Sequence, residues 1–216
     1  MSFLVSQNYL PPQRITRNRN GKKRRETPAF CRTWPRRAAR RAAAWVPRKI
    51  DDAKGRKRHR ASALSLPLPH NSFDRAYSQA ALMNISDKQC VFREAWRVLR
   101  PGGSLALALA GTGAAGEPHY PLPWATTTAV SFLSAPDEVR DHLLAAGFQI
   151  IFLRDTAAAQ AAALASVLKQ LETEGLPPLG EHVVTGENAK EWRINVMRST
   201  AEGRLSMIEA LARKPA

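Results

Sequence analysis

The sequence predicts an α/β domain, its helices flanking a largely parallel sheet, with a basic arm in front. Two observations carry that expectation. From Leu64 onward, short apolar runs alternate with amphipathic helical stretches, the pattern of a layered sheet with crossover helices. Charge, meanwhile, is divided along the chain: residues 1–60 hold 19 Lys+Arg against 3 Asp+Glu, and residues 61–216 hold 14 against 15. The net charge of +15 therefore belongs to the arm, and the body is neutral.

Residues 11–60 are built from Arg, Lys, Ala and Pro, with runs such as Lys22-Lys23-Arg24-Arg25 and few large apolar side chains. This composition buries too little apolar surface to offset the entropy of ordering, so residues 1–60 are expected as a disordered arm, transiently helical around Ala38–Val46. Residues 61–216 are the expected domain. Its first segment, Leu66 to Ser72, is a loop, because Pro67 and Pro69 break both helix and ladder. Phe73–Ser78 follows as a short strand. Ser86-Asp87-Lys88-Gln89 fits a capping box with Ser86 as N-cap. Val91, Phe92, Ala95, Trp96, Val98 and Leu99 then form one apolar face, and Pro101-Gly102-Gly103 stops the helix.

Ser104–Ala110 is a strand apolar enough to be buried on both faces. A Pro-rich loop runs from Gly111 to Trp124. Ser134-Ala135-Pro136-Asp137 starts a second helix, with Val139, Leu143 and Ala146 inward and Gly147 as its stop. Phe148–Arg154 is the next strand, Ala157–Thr173 an alanine-rich helix, and Glu187–Thr200 a further helix. Arg204–Lys214 has no clear period and is assigned as a strand.

Two cysteines, Cys31 and Cys90, make neither a disulfide framework nor a four-ligand zinc site, which points to a reducing compartment. No apolar run reaches the ~20 residues of a membrane helix. The first residues lack the pattern of a secretory signal, so a cytoplasmic protein is expected. His59, His70, His119, His142 and His182 show no metal-ligand spacing.

Several ordered blocks of the body resemble class I S-adenosylmethionine-dependent methyltransferases, most closely the small-molecule "type 11" branch. They are Leu66-Pro-Leu-Pro-His-Asn-Ser-Phe-Asp74, Tyr77-Ser-Gln79, Leu82-Met-Asn-Ile-Ser-Asp87 and Arg97-Val-Leu-Arg-Pro-Gly-Gly-Ser-Leu105. Pro118 to Trp124, Ser131-Phe-Leu and Leu143-Leu-Ala-Ala-Gly-Phe148 are similar to the substrate-side region of the same group. The resemblance covers roughly residues 61–215. It implies a partial Rossmann-like sheet, the family's fourth to seventh strands, and transfer of a methyl group from S-adenosylmethionine to a small molecule. It further implies that Ser62, Ala63 and Leu64 lie beside the adenine and Ser78 and Gln79 near the methionine portion. Met83, Asn84, His119, Tyr120 and Trp124 would face the acceptor. No catalytic residue and no metal are implied, because in-line methyl transfer depends chiefly on holding the reactants aligned.

The departure from the family lies upstream. The family binds its cofactor through a glycine-rich loop after the first strand, where only glycine lets backbone approach the ligand, and through an acidic residue ending the second. Before Ser62 the only glycines are Gly21 and Gly55. The first three strands are expected to be missing, the chain to be truncated and cofactor binding to be impaired. Phe73–Ser78, without its usual neighbour, would be an open edge prone to self-association.

The arm admits three readings. It is a phosphate-binding tail that contacts nucleic acid without sequence preference, a presequence, or the out-of-frame translation of GC-rich DNA. The alternative function is accordingly a non-enzymatic nucleic-acid-binding protein acting through residues 11–60. Gly111-Thr-Gly113-Ala-Ala-Gly116 matches a dinucleotide-binding spacing, but that mechanism needs a helix to open at once. Pro118, Pro121 and Pro123 follow instead, so the motif is expected to be a loop.

Overall fold

The computed structural model describes residues 2–5, 61–163 and 189–216. The chain divides into two units, Met1–Gln7 with Leu68–Ala216, and Asn8–Pro67. In the second, the described residues form a tight turn in which the Ser65 N–H donates to the Ser62 carbonyl at 3.1 Å. The expected disorder of the arm and its helix around Ala38–Val46 lie outside the described residues.

The first unit is a five-stranded sheet in the order β1-β2-β3-β5-β4. Its strands are β1 (Ser2–Val5), β2 (Phe73–Gln79), β3 (Leu99–Thr112), β4 (Gln149–Asp155) and β5 (Leu205–Arg213). Helices α1 (Lys88–Val98) and α2 (Pro136–Ala145) follow β2 and β3, and α3 (Ala189–Ala201) precedes β5. Residues 157–163 are also helical, and residues 164–173 of that expected helix lie outside the described residues. The α/β class and the four expected strands are therefore present.

Three details differ from the sequence reading. First, β1 pairs in parallel with β2, in the register Ser2↔Arg75 to Val5↔Ser78. Both sides of β2 are thus hydrogen-bonded, and the self-association expected from an open edge loses its basis. β1 takes the place beside β2 that the resemblance gives to the family's first strand. Second, Asp87 rather than Ser86 caps α1: its carboxylate accepts from the Cys90 N–H at 2.9 Å. An anion there also complements the helix dipole. Third, α1 ends at Val98, just ahead of Pro101-Gly102-Gly103, and the next strand already starts at Leu99 rather than at Ser104, with the Pro-Gly-Gly segment bulging out of the pairing. β3 pairs with β2 at Leu99↔Phe73 and again from Ser104↔Arg75, and the Gly102 N–H donates to the Lys214 carbonyl at 2.9 Å.

The sheet is largely parallel, as expected: β1, β2, β3 and β4 run in one direction, and β5, set between β3 and β4, is antiparallel to both. The core lies on the leucine face of β3. Leu105, Leu107 and Leu109 are buried against Phe92, Val98, Val139 and Leu143, each of the last four residues fully enclosed. On the opposite face Ala106 is exposed, so β3 is not covered on both faces along its length. Helix α1 meets its expectation, burying Val91, Phe92, Ala95 and Val98, as the 3.6-residue period requires. Gly147, at φ +95°, ends the turn after α2.

Lys214 fastens the loop before β2. Its ammonium donates to Asn71 Oδ1 (2.8 Å), the Trp96 carbonyl (3.0 Å) and the Leu99 carbonyl (2.8 Å). It also lies 3.7 Å from the centre of the Trp96 ring. Burial holds its pKa below the ordinary lysine value. Among the described residues no helix is long and apolar enough to cross a membrane.

Candidate active site

The carboxyl ends of parallel strands in an open α/β sheet are where ligands bind, and here those of β2 and β3 lie side by side. Ser78, near the end of β2, is buried, and its hydroxyl has no hydrogen-bond partner among the described residues. Gln89, Trp96, His142 and Ser206 also carry a buried side-chain atom without a partner among the described residues; of these five residues Ser78 stands at the carboxyl end of β2. Gln79 follows, exposed. Ala80 then adopts φ +49° while its N–H donates to the Ala108 carbonyl at 2.8 Å. A non-glycine residue in that region stores strain, which clusters at ligand sites. The backbone turns through a short 3-10 segment, Leu82–Asn84. Met83 is itself 2% exposed, so its side chain packs in the core. Asn84 is half-buried.

The loop from β3 to α2 carries the other candidate residues and is tied down at both ends. At its start, the His119 N–H donates to Ser199 Oγ at 2.8 Å, and the Asn195 amide donates to the Pro121 carbonyl at 3.0 Å. Both partners are on α3. His119 Nε2 is 2.8 Å from Glu202 Oε2. The same carboxylate accepts from Arg198 at 2.8 Å and Arg204 at 2.5 Å. Hydrogen bonds from His119, Arg198 and Arg204 pull the Glu202 pKa down to about 2. Trp124 sits in a turn closed by paired Leu122 and Ala125, and its indole N–H donates to Ser131 Oγ at 3.2 Å. Tyr120 is half-buried in the same loop.

The far end of the loop meets the β2 side. The Phe132 N–H donates to the Met83 carbonyl at 2.8 Å. Lys88, on the first turn of α1, donates to the Phe132 carbonyl and, at 3.2 Å, to that of Ile85. Only 3% of Lys88 is exposed, and burial lowers its pKa to about 8 against a smaller opposing pull from Glu138. The 83–85 turn and Phe132 are therefore held together by one backbone hydrogen bond and by a buried ammonium that bridges a carbonyl of each. Ser62, Ala63 and Leu64 belong to the other unit, where the Leu64 N–H donates to Ser62 Oγ at 3.2 Å.

Lys88 and Glu202 were not singled out by sequence reasoning. A signal for Lys88 exists, since it precedes Val91, Phe92 and Ala95 by three, four and seven residues and so falls on the apolar face of α1.

The Gly111-x-Gly113-x-x-Gly116 spacing has a packing cause. A Cβ on Gly111 would stand 2.4 Å from the Ser134 carbonyl, and one on Gly113 would stand 2.1 Å from that of Gly203. These glycines let β3 pass close to neighbouring backbone. Gly111 and Thr112 are the last residues of β3, paired with β5, and only the remainder of the motif is the expected loop; no α-helix opens among the described residues until α2.

Residues 38–107 match the family model described as "Methyltransferase domain". The strand order, the carboxyl-end loops and this match agree. Residues 38–107 thus resemble part of a methyltransferase domain, and the sheet has the Rossmann-like fold of S-adenosylmethionine-dependent methyltransferases. An O-methyltransferase of Pyrenophora dematioidea is 30% identical over 92 residues, covering 42% of this chain and 34% of the relative. A demethylmenaquinone methyltransferase of Listeria welshimeri is 49% identical over 45 residues, covering 21% of this chain and 19% of the relative. The chain thus spans about a third or less of the length of these curated relatives. Among solved structures, phosphoethanolamine N-methyltransferase 2 of Haemonchus contortus, in complex with S-adenosyl-L-methionine, superposes with TM-score 0.55. It is 17% identical over 72% of this chain and 36% of its own. The [4+2]-cyclase SpnF superposes with TM-score 0.51, at 25% identity over 72% of this chain and 56% of its own. One fold therefore serves both methyl transfer and a cyclase.

S-adenosylmethionine is the methyl donor of the family, and the methyltransferase segment fits it on one side. The unpartnered hydroxyl of Ser78 and the strained turn at Ala80 form the kind of end-of-strand cradle such a ligand occupies. On the other side the sequence after β1 has no glycine before Gly21, so it lacks the residue type that admits close backbone approach.

Proposed function

We propose that this methyltransferase-like segment acts on a small molecule in the cytoplasm, with Ser78 and Gln79 contacting the methionine portion of the donor. Met83, through its backbone, and Asn84, His119, Tyr120 and Trp124 form the acceptor side. The observation that carries the reading is the buried, unpartnered Ser78 hydroxyl at the carboxyl end of β2. Bound, S-adenosylmethionine supplies an electrophilic methyl on a sulfonium. The chain's own contribution is alignment and exclusion of water, which the doubly anchored 118–134 loop provides. Donor affinity is impaired, because glycine is sparse where the family's binding loop belongs.

Calorimetric titration of the full chain with S-adenosylmethionine tests this. Affinity weaker than micromolar is expected, and Ser78→Val weakens it further. Micromolar binding would overturn the impairment, and unchanged binding by the variant would remove Ser78 from the site.

A further inference from the structure

We propose that the face of the sheet turned away from the leucine core is a binding surface for single-stranded nucleic acid, with Tyr77 and Phe152 stacking on bases and Arg75 and Arg213 meeting phosphates. The strand register sets these side chains in two rows that run across the strands. Tyr77 pairs with Ala106, Ala106 with Leu211, and Leu211 with Phe152. Residues paired in register share one face of a sheet. Arg75, Ser104, Arg213 and Gln149 pair in the same way and form the neighbouring row, about 7 Å along the strands. The irregularity between Ile150 and Phe152 keeps Gln149 and Phe152 on the same side. The buried residues Ala76, Leu105, Leu107, Ala210 and Ala212 alternate with both rows and belong to the other face. Ser78, paired with Leu107, is on that other face too, so this surface is separate from the candidate donor site.

Exposure and charge select this ligand. Tyr77 and Phe152 keep 37% and 43% of their surface exposed, and Ala106 between them is exposed as well. An apolar row this open marks a contact surface rather than a core. Strands lie about 4.8 Å apart, so Tyr77 and Phe152 stand about 14 Å from each other, and Arg75 and Arg213 about 10 Å. A single strand lying across the sheet can thus place its bases on the aromatic row and its phosphates on the arginine row. Arg75 and Arg213 are exposed, and their side chains make no hydrogen bond or ion pair among the described residues. The carboxylates beside them are neutralised, Asp74 by Arg100 at 2.6 Å and Glu209 by Arg154 at 2.7 Å. Two positive charges are left on the face, complementary to a phosphate backbone. The Arg154 guanidinium, 5.5 Å from the centre of the Phe152 ring, widens the stacking platform. A duplex keeps its bases inside, whereas a single strand splays them onto aromatic side chains. An acidic partner protein would account for the arginines but not for the aromatic row aligned beside them.

Fluorescence anisotropy of the full chain with a labelled short oligothymidylate, over a salt series, tests the surface. Tyr77→Ala and Phe152→Ala should each weaken binding about 5- to 150-fold, the loss of one base stack. Arg75→Gln and Arg213→Gln should each flatten the dependence of log affinity on log salt by about 0.7. Leu144→Ala, which removes an exposed apolar side chain of α2, should change neither quantity. Residues 1–60 are the same in every variant, so their charge cancels from these comparisons. In wild type, ultraviolet cross-linking of a 5-iodouracil-substituted strand should form adducts at Tyr77 or Phe152, located by mass spectrometry. Unchanged affinity in both aromatic variants, with native circular dichroism, would overturn the proposal and leave the face to an acidic partner protein. Adducts confined to residues 1–60 would equally overturn it. The donor titration reads the opposite face, so the two readings fail separately.

Discussion

Lys88 offers the sharpest test of the packing described above, because a buried ammonium makes stability depend on pH in a calculable way. Burial lowers its pKa from 10.5 to about 8. Below that pH both the native and unfolded chains hold the proton, and the native state bears the full cost of burying a charge. Between about 8 and 10.5 the unfolded chain binds a proton that the native chain does not, so stability rises with pH. At about 1.36 kcal/mol per pH unit, the whole window corresponds to about 3 kcal/mol. Lys88→Met removes the titration while keeping an unbranched apolar stem. Urea unfolding of both proteins across the window isolates the effect, since every other group titrates alike in the two. Wild type should gain about 3 kcal/mol on the variant from the low to the high end of the window. Parallel profiles would refute the reasoning, and a slope of opposite sign would mean that the folded state favours the charged form.

Other outcomes follow from the same structure. Leu143→Ala empties a fully enclosed site between α2 and the sheet and should cost about 2–5 kcal/mol in chemical unfolding. Gly113→Ala forces a methyl toward the Gly203 carbonyl and should cost at least about 1–3 kcal/mol by the same assay, through displaced backbone. Glu202, whose pKa falls from 4.5 to about 2, contributes stability present above pH 4.5 and lost as pH falls toward 2. The urea midpoint of wild type should therefore drop relative to Glu202→Gln across that window. Finally, if the arm contacts nucleic acid, retention of a DNA duplex near physiological salt should vanish on deletion of residues 11–60. Loss of binding at modest salt would mark a generic polycation.

What could be read in advance was whatever is written locally. The apolar face of α1 and the Pro136 start and Gly147 stop of α2 all lie within a few residues of the structure they specify. Asn71, whose φ is +50°, belongs to a turn that its residue type announces. Long-range partners left no such trace. His119 meets a carboxylate 83 positions away, and no spacing rule connects the two. Four residues, Ser2–Val5, are too short a run to read as a strand until β2 is seen beside them. Pro101-Gly102-Gly103 reads as the stop of α1, and the helix does end just before it; that the next strand already starts at Leu99 shows only in its pairing with Phe73. Ser78 and Gln79 are candidates through the resemblance alone. Lys88 was overlooked because a lysine on an apolar face reads as a solvated end of the helix until its burial is known.

The position of β5 has a consequence for biosynthesis. It is the last of the five strands to leave the ribosome, yet it lies between β3 and β4. A nascent chain that has emerged only as far as β4 has no partner for that strand and leaves the far side of β3 unpaired. The bond from Lys214 to Asn71, across 143 positions, is also formed only then. Such an intermediate exposes unpaired strand edges and is prone to aggregate, so a chain ended after Asp155 should aggregate more than the full chain.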